Sequence, residues 1–174
     1  MRSAEELRFL VLAADMVGKQ ILTAELRPLG ITPSQAEVLR VLADNGSMTL
    51  VQLGSHLVCE SGNSPSRLVD RLVKRGYIDR QAGTSDARTI ELALTPSGVE
   101  AARSVAKIEA RLHDSIDHAA PDPLQPTLDF LWAFVANSAP GEALKRRKAL
   151  AAPRATNHEH SEERGARRRG RAGT

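Results

Sequence analysis

The fold of this chain is decided by the stretch RLVDRLVKRGYIDR at residues 67–80. Its first eight residues place Leu and Val on one side of a helix and charged residues on the other, which predicts an amphipathic helix. Gly76 follows as a candidate left-handed C-terminal cap. The residues from Tyr77 to Arg80 then favour an extended strand. We therefore predict a helix, running to Arg75, that passes directly into a strand.

Three hydroxyl–proline pairs predict helix starts elsewhere in the chain. Thr32-Pro33, Ser64-Pro65 and Thr95-Pro96 each offer a side-chain oxygen for an unpaired N–H group, followed by a residue suited to the first helical position. In the segment ESGNSP at residues 60–65, Ser61 is a rival cap to Ser64. The start of the helix before Arg67 therefore has two alternatives about one turn apart.

The remaining elements follow from hydrophobic periodicity. Helices are predicted at residues 3–26 and 33–44, and after the caps Thr49 and Thr95, with a final helix carrying Leu124 to Val135. Ile90, Leu92 and Leu94 alternate with polar or small residues, which predicts a half-buried strand. With Tyr77–Arg80 it would form a hairpin across the polar turn at residues 82–86. The fold class is mostly α with a small β-hairpin wing: a winged helix-turn-helix.

A helix-turn-helix followed by a hairpin indicates DNA binding, with the fourth helix in the major groove. Its outward residues would be Ser66, Arg67, Asp70, Arg71 and Lys74. Arginine can bond guanine in bidentate fashion, and lysine can neutralise phosphate. The alternative is a solvated helix face with ion pairs such as Arg67–Asp70 or Asp70–Lys74.

The distribution of charge favours the DNA-binding interpretation. The net charge is +3, but residues 145–174 hold ten of the 24 Lys and Arg residues and three of the 21 acids, so this tail carries +7 and the remainder −4. Residues 64–88 nevertheless contain six basic residues against three acids. A local basic cluster on an acidic body is what a DNA-binding face requires. The last part of the chain, residues 151–174, is rich in Arg, Gly and Ala and is predicted to be a disordered tail that adds non-specific affinity for DNA.

These segments resemble the MarR family of winged-helix transcriptional regulators. The resemblance rests on residues 67–80, on SDAR at 85–88, on LTPSG at 94–98 and on LGITPSQ at 29–35. It implies an obligate homodimer built from the first and last helices. It also implies that Arg88 reaches the minor groove from the wing, braced by Asp86, and that small phenolic or lipophilic effectors can bind. Phe130, Trp132 and Phe134 are candidates to line an effector pocket, or simply to pack.

Taken together, these features predict a DNA-binding regulator, expected to be a repressor, on a pseudo-palindromic operator. Residues 1–30 would form an N-terminal dimerisation helix, 31–95 the winged helix-turn-helix, 96–150 the C-terminal dimerisation helices and 151–174 the basic tail. The predicted DNA-binding residues are Ser64, Ser66, Arg67, Asp70, Arg71, Lys74, Asp86 and Arg88. The alternative is a winged-helix module that binds protein and not DNA.

Other chemistry has weaker support in the sequence. No catalytic motif, cofactor site or metal-binding spacing is present, so an enzyme is disfavoured. The single cysteine, Cys59, is either a small buried residue or a redox sensor near the turn between the two DNA-binding helices. With no disulfide, no long apolar stretch and no signal-peptide pattern at the N-terminus, a cytoplasmic location is expected.

Overall fold

The structure is a computed structural model that describes residues 1–58, 64–83, 88–119 and 123–151. Besides a short 3-10 helix (Arg27–Leu29) that follows the first α-helix, seven α-helices and three short strands occur in these ranges. They are α1 (Ser3–Leu26), α2 (Pro33–Asn45), β1 (Met48–Thr49), α3 (Leu50–His56), α4 (Pro65–Lys74), β2 (Ile78–Ala82), β3 (Ile90–Leu94), α5 (Pro96–Ala119), α6 (Gln125–Val135) and α7 (Ala139–Ala151). The predicted class, mostly helical with a small β wing, is confirmed.

Side-chain caps begin three of the helices as predicted. Thr32 and Thr49 form reciprocal capping boxes with Gln35 and Gln52. The hydroxyl of Thr95 accepts a hydrogen bond from the Gly98 N–H at 3.0 Å. Ser64 is the N-cap residue of α4, but its hydroxyl makes no capping bond and lies 2.9 Å from the Ser66 hydroxyl. The predicted capping role of the Ser64 side chain is therefore wrong, because the two neighbouring hydroxyls pair instead.

The wing belongs to a three-stranded antiparallel sheet in the order β1-β3-β2. Ile78 pairs with Leu94 and Ala82 with Ile90, which confirms the predicted hairpin. β1 was not predicted, since two residues directly before a helix cap give no alternating pattern. Leu92 is buried on β3, whereas Ile90 is 62% exposed because it lies toward the wing tip, beyond the core.

One core joins the DNA-binding elements to the long helices. Its fully buried side chains come from α1, α2, α3, α4, the sheet and α5: Leu26, Val38, Leu39, Val41, Leu53, Val69, Leu72, Ile78, Leu92 and Val105. At the edge of this core, Arg40 of α2 pairs with Glu109 of α5 at 3.2 Å. Burial raises the pKa of Glu109, and the adjacent Arg40 opposes that effect. The winged helix is thus attached to α5 by packing and by a half-buried ion pair.

Large apolar side chains remain exposed on α1, at the end of α5 and on α6. On α1 they are Leu7, Phe9, Leu10, Val11, Leu12, Met16, Val17 and Ile21. Ile116 of α5 and Leu128, Phe130 and Phe134 of α6 are exposed as well. The helical stripe predicted for residues 3–26 therefore faces outward in the single chain. Such a large exposed apolar area is typical of a surface that another protein covers.

The last helix departs from the sequence-based expectation. The hydrophobic pattern weakens after Asn137, yet α7 forms at Ala139–Ala151 and packs against α3 of the helix-turn-helix. Cys59, Ser61, Asp86 and the tail from residue 152 lie outside the described residues. Among the described helices, none is long and apolar enough to cross a membrane.

Gly98, in the first turn of α5, is predicted to resist substitution. A Cβ atom there would lie 2.0 Å from the carbonyl oxygen of Tyr77, a backbone atom that cannot move independently. Gly98→Ala should lower the free energy of unfolding in urea by about 1–3 kcal/mol through overpacking. Gly54→Ala in α3 is the control, because its nearest atom is at an ordinary 3.5 Å; it should be neutral or stabilising by up to ~1 kcal/mol. Equal effects of the two changes would contradict the predicted clash.

Candidate nucleic-acid interface

Helix α4 is fixed to the core along one face and at its C-terminus. Leu68, Val69 and Leu72 are buried, as the amphipathic pattern predicted. Gly76 has φ of +71°, and the N–H of Tyr77 donates to the carbonyl of Leu72 at 3.0 Å. These features form the predicted left-handed cap, here a Schellman motif. The direction of α4 relative to β2 is therefore set by backbone hydrogen bonds.

The opposite face of α4 presents a row of cations. Arg67, Arg71 and Lys74 are exposed and follow the spacing i, i+4, i+7, which places them on one side of the helix. None of the three makes an ion pair with another residue of the described ranges. We call these three residues the α4 cation row. Ser64 is exposed nearby and Ser66 is half-buried.

Asp70 links α4 to the wing. Its carboxylate lies 2.5 Å from Nη2 of Arg80 on β2, and both side chains are about half exposed. The intrahelical pairs Arg67–Asp70 and Asp70–Lys74, considered in the sequence analysis, do not form. Asp70 therefore connects α4 to strand β2 of the wing. Because Arg80 is paired with Asp70, it is not a free cation. Sequence reasoning missed this pair because the partners lie on different elements.

Arg75 belongs to the basic cluster at residues 64–88 of the sequence, but in the structure its side chain is directed elsewhere. Its guanidinium lies over Gly30, where a Cβ atom would be 2.7 Å from Nη1. Gly30 has φ of +62°, a left-handed conformation that favours glycine at this position. Arg75 thus packs against the turn before α2 and does not extend the α4 cation row. In the sequence, the glycine at position 30 of the LGITPSQ segment is the one feature that hints at this close approach.

The wing places one further cation at the surface. Arg88 is exposed, two residues before β3, and takes part in a polar or electrostatic interaction. The hairpin below it is closed by the Gly83 N–H, which donates to the Thr89 carbonyl at 2.8 Å. Asp86, the predicted brace for Arg88, and Cys59, the redox candidate, lie outside the described residues. Their roles remain predictions.

The aromatic residues of α6 separate into two environments. Trp132 contributes to a cavity of about 530 Å³ between α2, α6 and α7, lined also by Arg40, Val41, Asp44, Asn45, Leu144, Arg147 and Lys148. Phe130 and Phe134 stack with ring centroids 6.4 Å apart and are exposed. Within the single chain, Trp132 thus lines this cavity, whereas Phe130 and Phe134 lie against each other at the surface. In the described ranges, no group of three or more His, Cys, Asp or Glu side chains is placed to hold a metal ion.

The arrangement suits contact with a polyanion. A helix fits the major groove of B-form DNA, and cations on its outer face can reach base edges and phosphates. A wing next to that helix can reach the flanking minor groove. The buried face, the Schellman cap and the Asp70–Arg80 pair hold helix and wing as one unit. The α4 cation row and Arg88 then form the candidate nucleic-acid interface.

Comparison with known proteins agrees with this geometry. The sequence model of the MarR family matches residues 31–90, which run from before α2 to the start of β3. The multiple antibiotic resistance protein MarR of Salmonella typhimurium is 35% identical over 79 residues, or 45% of this chain and 54% of that protein. The HTH-type transcriptional regulator YkoM of Bacillus subtilis is 31% identical over 94 residues, or 53% of this chain and 60% of that protein. The chain thus spans little more than half the length of these curated relatives.

A solved structure extends the likeness beyond the winged helix. A mutant MarR from E. coli, complexed with operator DNA, is 26% identical and superposes with a TM-score of 0.63. The match covers 75% of this chain and 93% of that chain. The similarity therefore includes long helices outside residues 31–90.

The Asp70–Arg80 pair should orient the wing more than it stabilises the fold. Exposed ion pairs typically contribute about 0.2–1 kcal/mol because water screens them. A double-mutant cycle with Asp70→Asn and Arg80→Gln, measured by urea unfolding, should give a coupling energy below ~1 kcal/mol. The Glu100–Arg103 pair of α5, at 2.6 Å and also exposed, is a matched control and should give a similar value. A coupling energy of several kcal/mol for Asp70–Arg80 alone would contradict this view.

Proposed function

We propose that this chain is a transcriptional regulator of the MarR family that binds duplex DNA as a homodimer and represses transcription. Each protomer places α4 in the major groove of one half-site, with the wing and Arg88 at the flanking minor groove. The two half-sites of the pseudo-palindromic operator lie about one helical turn, ~10 bp, apart.

The α4 cation row is the observation that carries this proposal. Three cations that form no ion pair within the described part of the chain stand on one face of a helix, and Leu68, Val69 and Leu72 bury its other face in the core. Since the chain before residue 145 carries −4 overall, these cations are a local concentration of positive charge on an acidic body. If this helix face were only exposed to solvent, nothing would require its positive charges to be clustered on a domain that is acidic overall.

The exposed apolar surface supports the homodimer. It is formed by α1 and α6 with the end of α5, which are the segments assigned to dimerisation. An obligate interface commonly buries more than ~2,000 Å² and resembles a domain core. Two copies that share this surface would set the distance between their α4 helices. That distance must match the spacing between the two half-sites of a two-fold symmetric operator.

Release of DNA by a small ligand or an oxidant is a further part of the proposal. The cavity beside Trp132 joins α2 to α6 and α7, so a molecule bound there would act on both the winged helix and the dimerisation side. A ligand of this kind works by favouring a conformation in which the two α4 helices no longer match the half-sites. For an oxidant, Cys59 is the candidate side chain.

A gel shift at several salt concentrations separates DNA binding from the alternative protein-interaction module. The probes are the DNA upstream of the chain's own gene and a random duplex of the same length. Binding that weakens steeply with salt, together with preference for the upstream DNA, supports a regulator. No retardation of either probe at low salt would overturn DNA binding and favour the interaction module.

Arg71 and Arg88 should contribute to binding in different ways. Arg71 is central in the α4 cation row, so Arg71→Ala should cost ~1–3 kcal/mol on the preferred duplex and relax the preference at one base position. Arg88 faces the minor groove, which presents a degenerate pattern. Arg88→Ala should therefore weaken preferred and random duplexes more evenly. Fluorescence anisotropy titrations with both probes measure this. Full-strength binding by the double variant would rule out the proposed interface.

The homodimer should depend on the apolar surface of α1 and α6. Light scattering at low micromolar concentration should give twice the chain mass of 18.8 kDa. Phe134→Glu, at an 80% exposed position on α6, should shift the protein toward monomer because it would bury an unpaired charge. Val51→Glu, at an 84% exposed position on α3, is the matched control and should leave the dimer intact. A stable wild-type monomer would contradict the proposal.

A further inference from the structure

Helix α7 is joined to α6 by a tightly bonded corner. The hydroxyl of Ser138 donates to the Val135 carbonyl at 2.7 Å and accepts from the Gly141 N–H at 3.1 Å. A Cβ atom on Gly141 would lie 2.1 Å from the same carbonyl, so the corner has no room for a larger residue. Lys145 reaches back to the Ala136 carbonyl at 3.0 Å. The position of α7 therefore follows that of α6.

From this corner, α7 extends one arginine to the end of α3 and a second arginine to α2. Nη1 of Arg146 donates to the Ser55 carbonyl at 2.9 Å. That carbonyl lies in the last turn of α3, where carbonyls have no partner within the helix. Nη1 of Arg147 donates to Oε1 of Glu37 on α2 at 3.0 Å. Ala143 is buried in the α7 side of this contact, so packing accompanies the polar bonds.

Glu37 carries the contact onward to the turn that precedes α4. Its side chain is only 8% exposed, and the same oxygen accepts the N–H of Val58 at 2.8 Å. Val58 is two residues beyond the end of α3. A buried carboxylate needs compensating partners, and here they come from α7 on one side and from the α3–α4 turn on the other. One oxygen atom thus ties three parts of the fold together.

The short length of α3 makes these contacts important. With seven residues, α3 is far below the length at which an isolated helix is stable, so its placement depends on external contacts. α3 in turn packs against α4, close enough that a Cβ atom added to Gly54 would lie 3.5 Å from Cγ of Pro65. His56, the last residue of α3, also lies near α7. Burial, and then the charges of Arg146 and Arg147, lower the pKa of His56.

We infer that Arg147, assisted by Arg146, is a positioning residue for DNA recognition: through Glu37 and Val58 it holds the end of α3 in the orientation that presents the α4 cation row to a half-site. The inference rests on the proposed function. In this role Arg147 acts through its bond to Glu37 and not through a contact with DNA. α7 thereby connects the proposed dimerisation helix α6 to the DNA-reading elements within one chain.

The test compares Arg147→Met with the charge-matched control Arg103→Met in the full-length protein. Arg103 is an exposed residue of α5 that pairs only with Glu100 among the described residues. The probes are a duplex enriched from a random pool by the wild-type protein and an unselected duplex. Arg147→Met should bind the enriched duplex about tenfold more weakly than Arg103→Met, a difference of ~1.4 kcal/mol. On the unselected duplex the two variants should have equal affinity and equal salt slope.

A second comparison isolates the route through Glu37. In a Glu37→Gln background, Arg147→Met should have little further effect on affinity for the enriched duplex. Arg147→Lys, which keeps the charge but not the fork geometry, should restore part of the lost affinity. If Arg147→Met does not fold or dimerise, Arg146→Met removes only the Ser55 contact and should show the same pattern more weakly.

Amide hydrogen exchange supplies a readout that does not need DNA. The Val58 N–H and the α3 amides should exchange faster in Arg147→Met than in Arg103→Met, because the turn has lost one of its anchors. Unchanged exchange with wild-type-like binding would overturn the inference. An equal loss on both duplexes with a shallower salt slope would also overturn it, since that is the behaviour of a phosphate contact. If the wild type binds neither duplex, the proposed function fails, and the exchange data still test the contact between α7 and α3.

Discussion

The structure depends on the burial of one face of α4. This ten-residue helix would be marginal alone, and it is held by Leu68, Val69 and Leu72 in the common core. Each such aliphatic side chain contributes about 1.5–3 kcal/mol when fully buried. Once this face is inside, the helical repeat places Arg67, Arg71 and Lys74 outside. The chemistry of the exposed row therefore follows from packing on the other side of the same helix.

The same constraint explains how the wing and the supporting helices are arranged. The Schellman cap at Gly76 turns the chain directly into β2, and Gly98 lets the start of α5 approach Tyr77 closely. The Asp70–Arg80 pair then aligns helix and strand across a short distance. On the opposite side, Glu37 and Arg147 join the α3–α4 turn to α7. Because these contacts fix the position of α4, a few cations on its surface can face DNA even though the net charge of the surrounding domain is negative.

Local signals made much of the fold predictable from sequence. Thr32, Thr49 and Thr95 cap their helices because a hydroxyl one turn before an amide is a short-range interaction. The left-handed Gly76 and the alternating strand with Leu92 are equally local. The outward α4 cation row was predicted for the same reason, since helical spacing alone determines which residues share a face.

Contacts between distant residues could not be predicted in this way. Asp70 has plausible partners three and four residues away on its own helix, and only the packed wing makes Arg80 the better one. Arg75 was counted in the basic cluster until the fold placed it over Gly30. α7 lacks a clear apolar stripe because polar contacts to Ser55 and Glu37 accompany its packing. The Cys59 and Asp86 predictions lie outside the described residues and stay predictions.

Chemical footprinting tests the central claim that α4 reads the major groove as one half of a dimer. Dimethyl sulfate modifies guanine N7 in the major groove and adenine N3 in the minor groove, so one reaction reports on both surfaces of a duplex enriched by the protein. We predict two clusters of protected guanines about one helical turn, ~10 bp, apart, with protected adenines on their outer flanks. Arg71→Ala should remove the guanine protection first. Protection confined to the minor groove, or a single guanine cluster, would contradict the account.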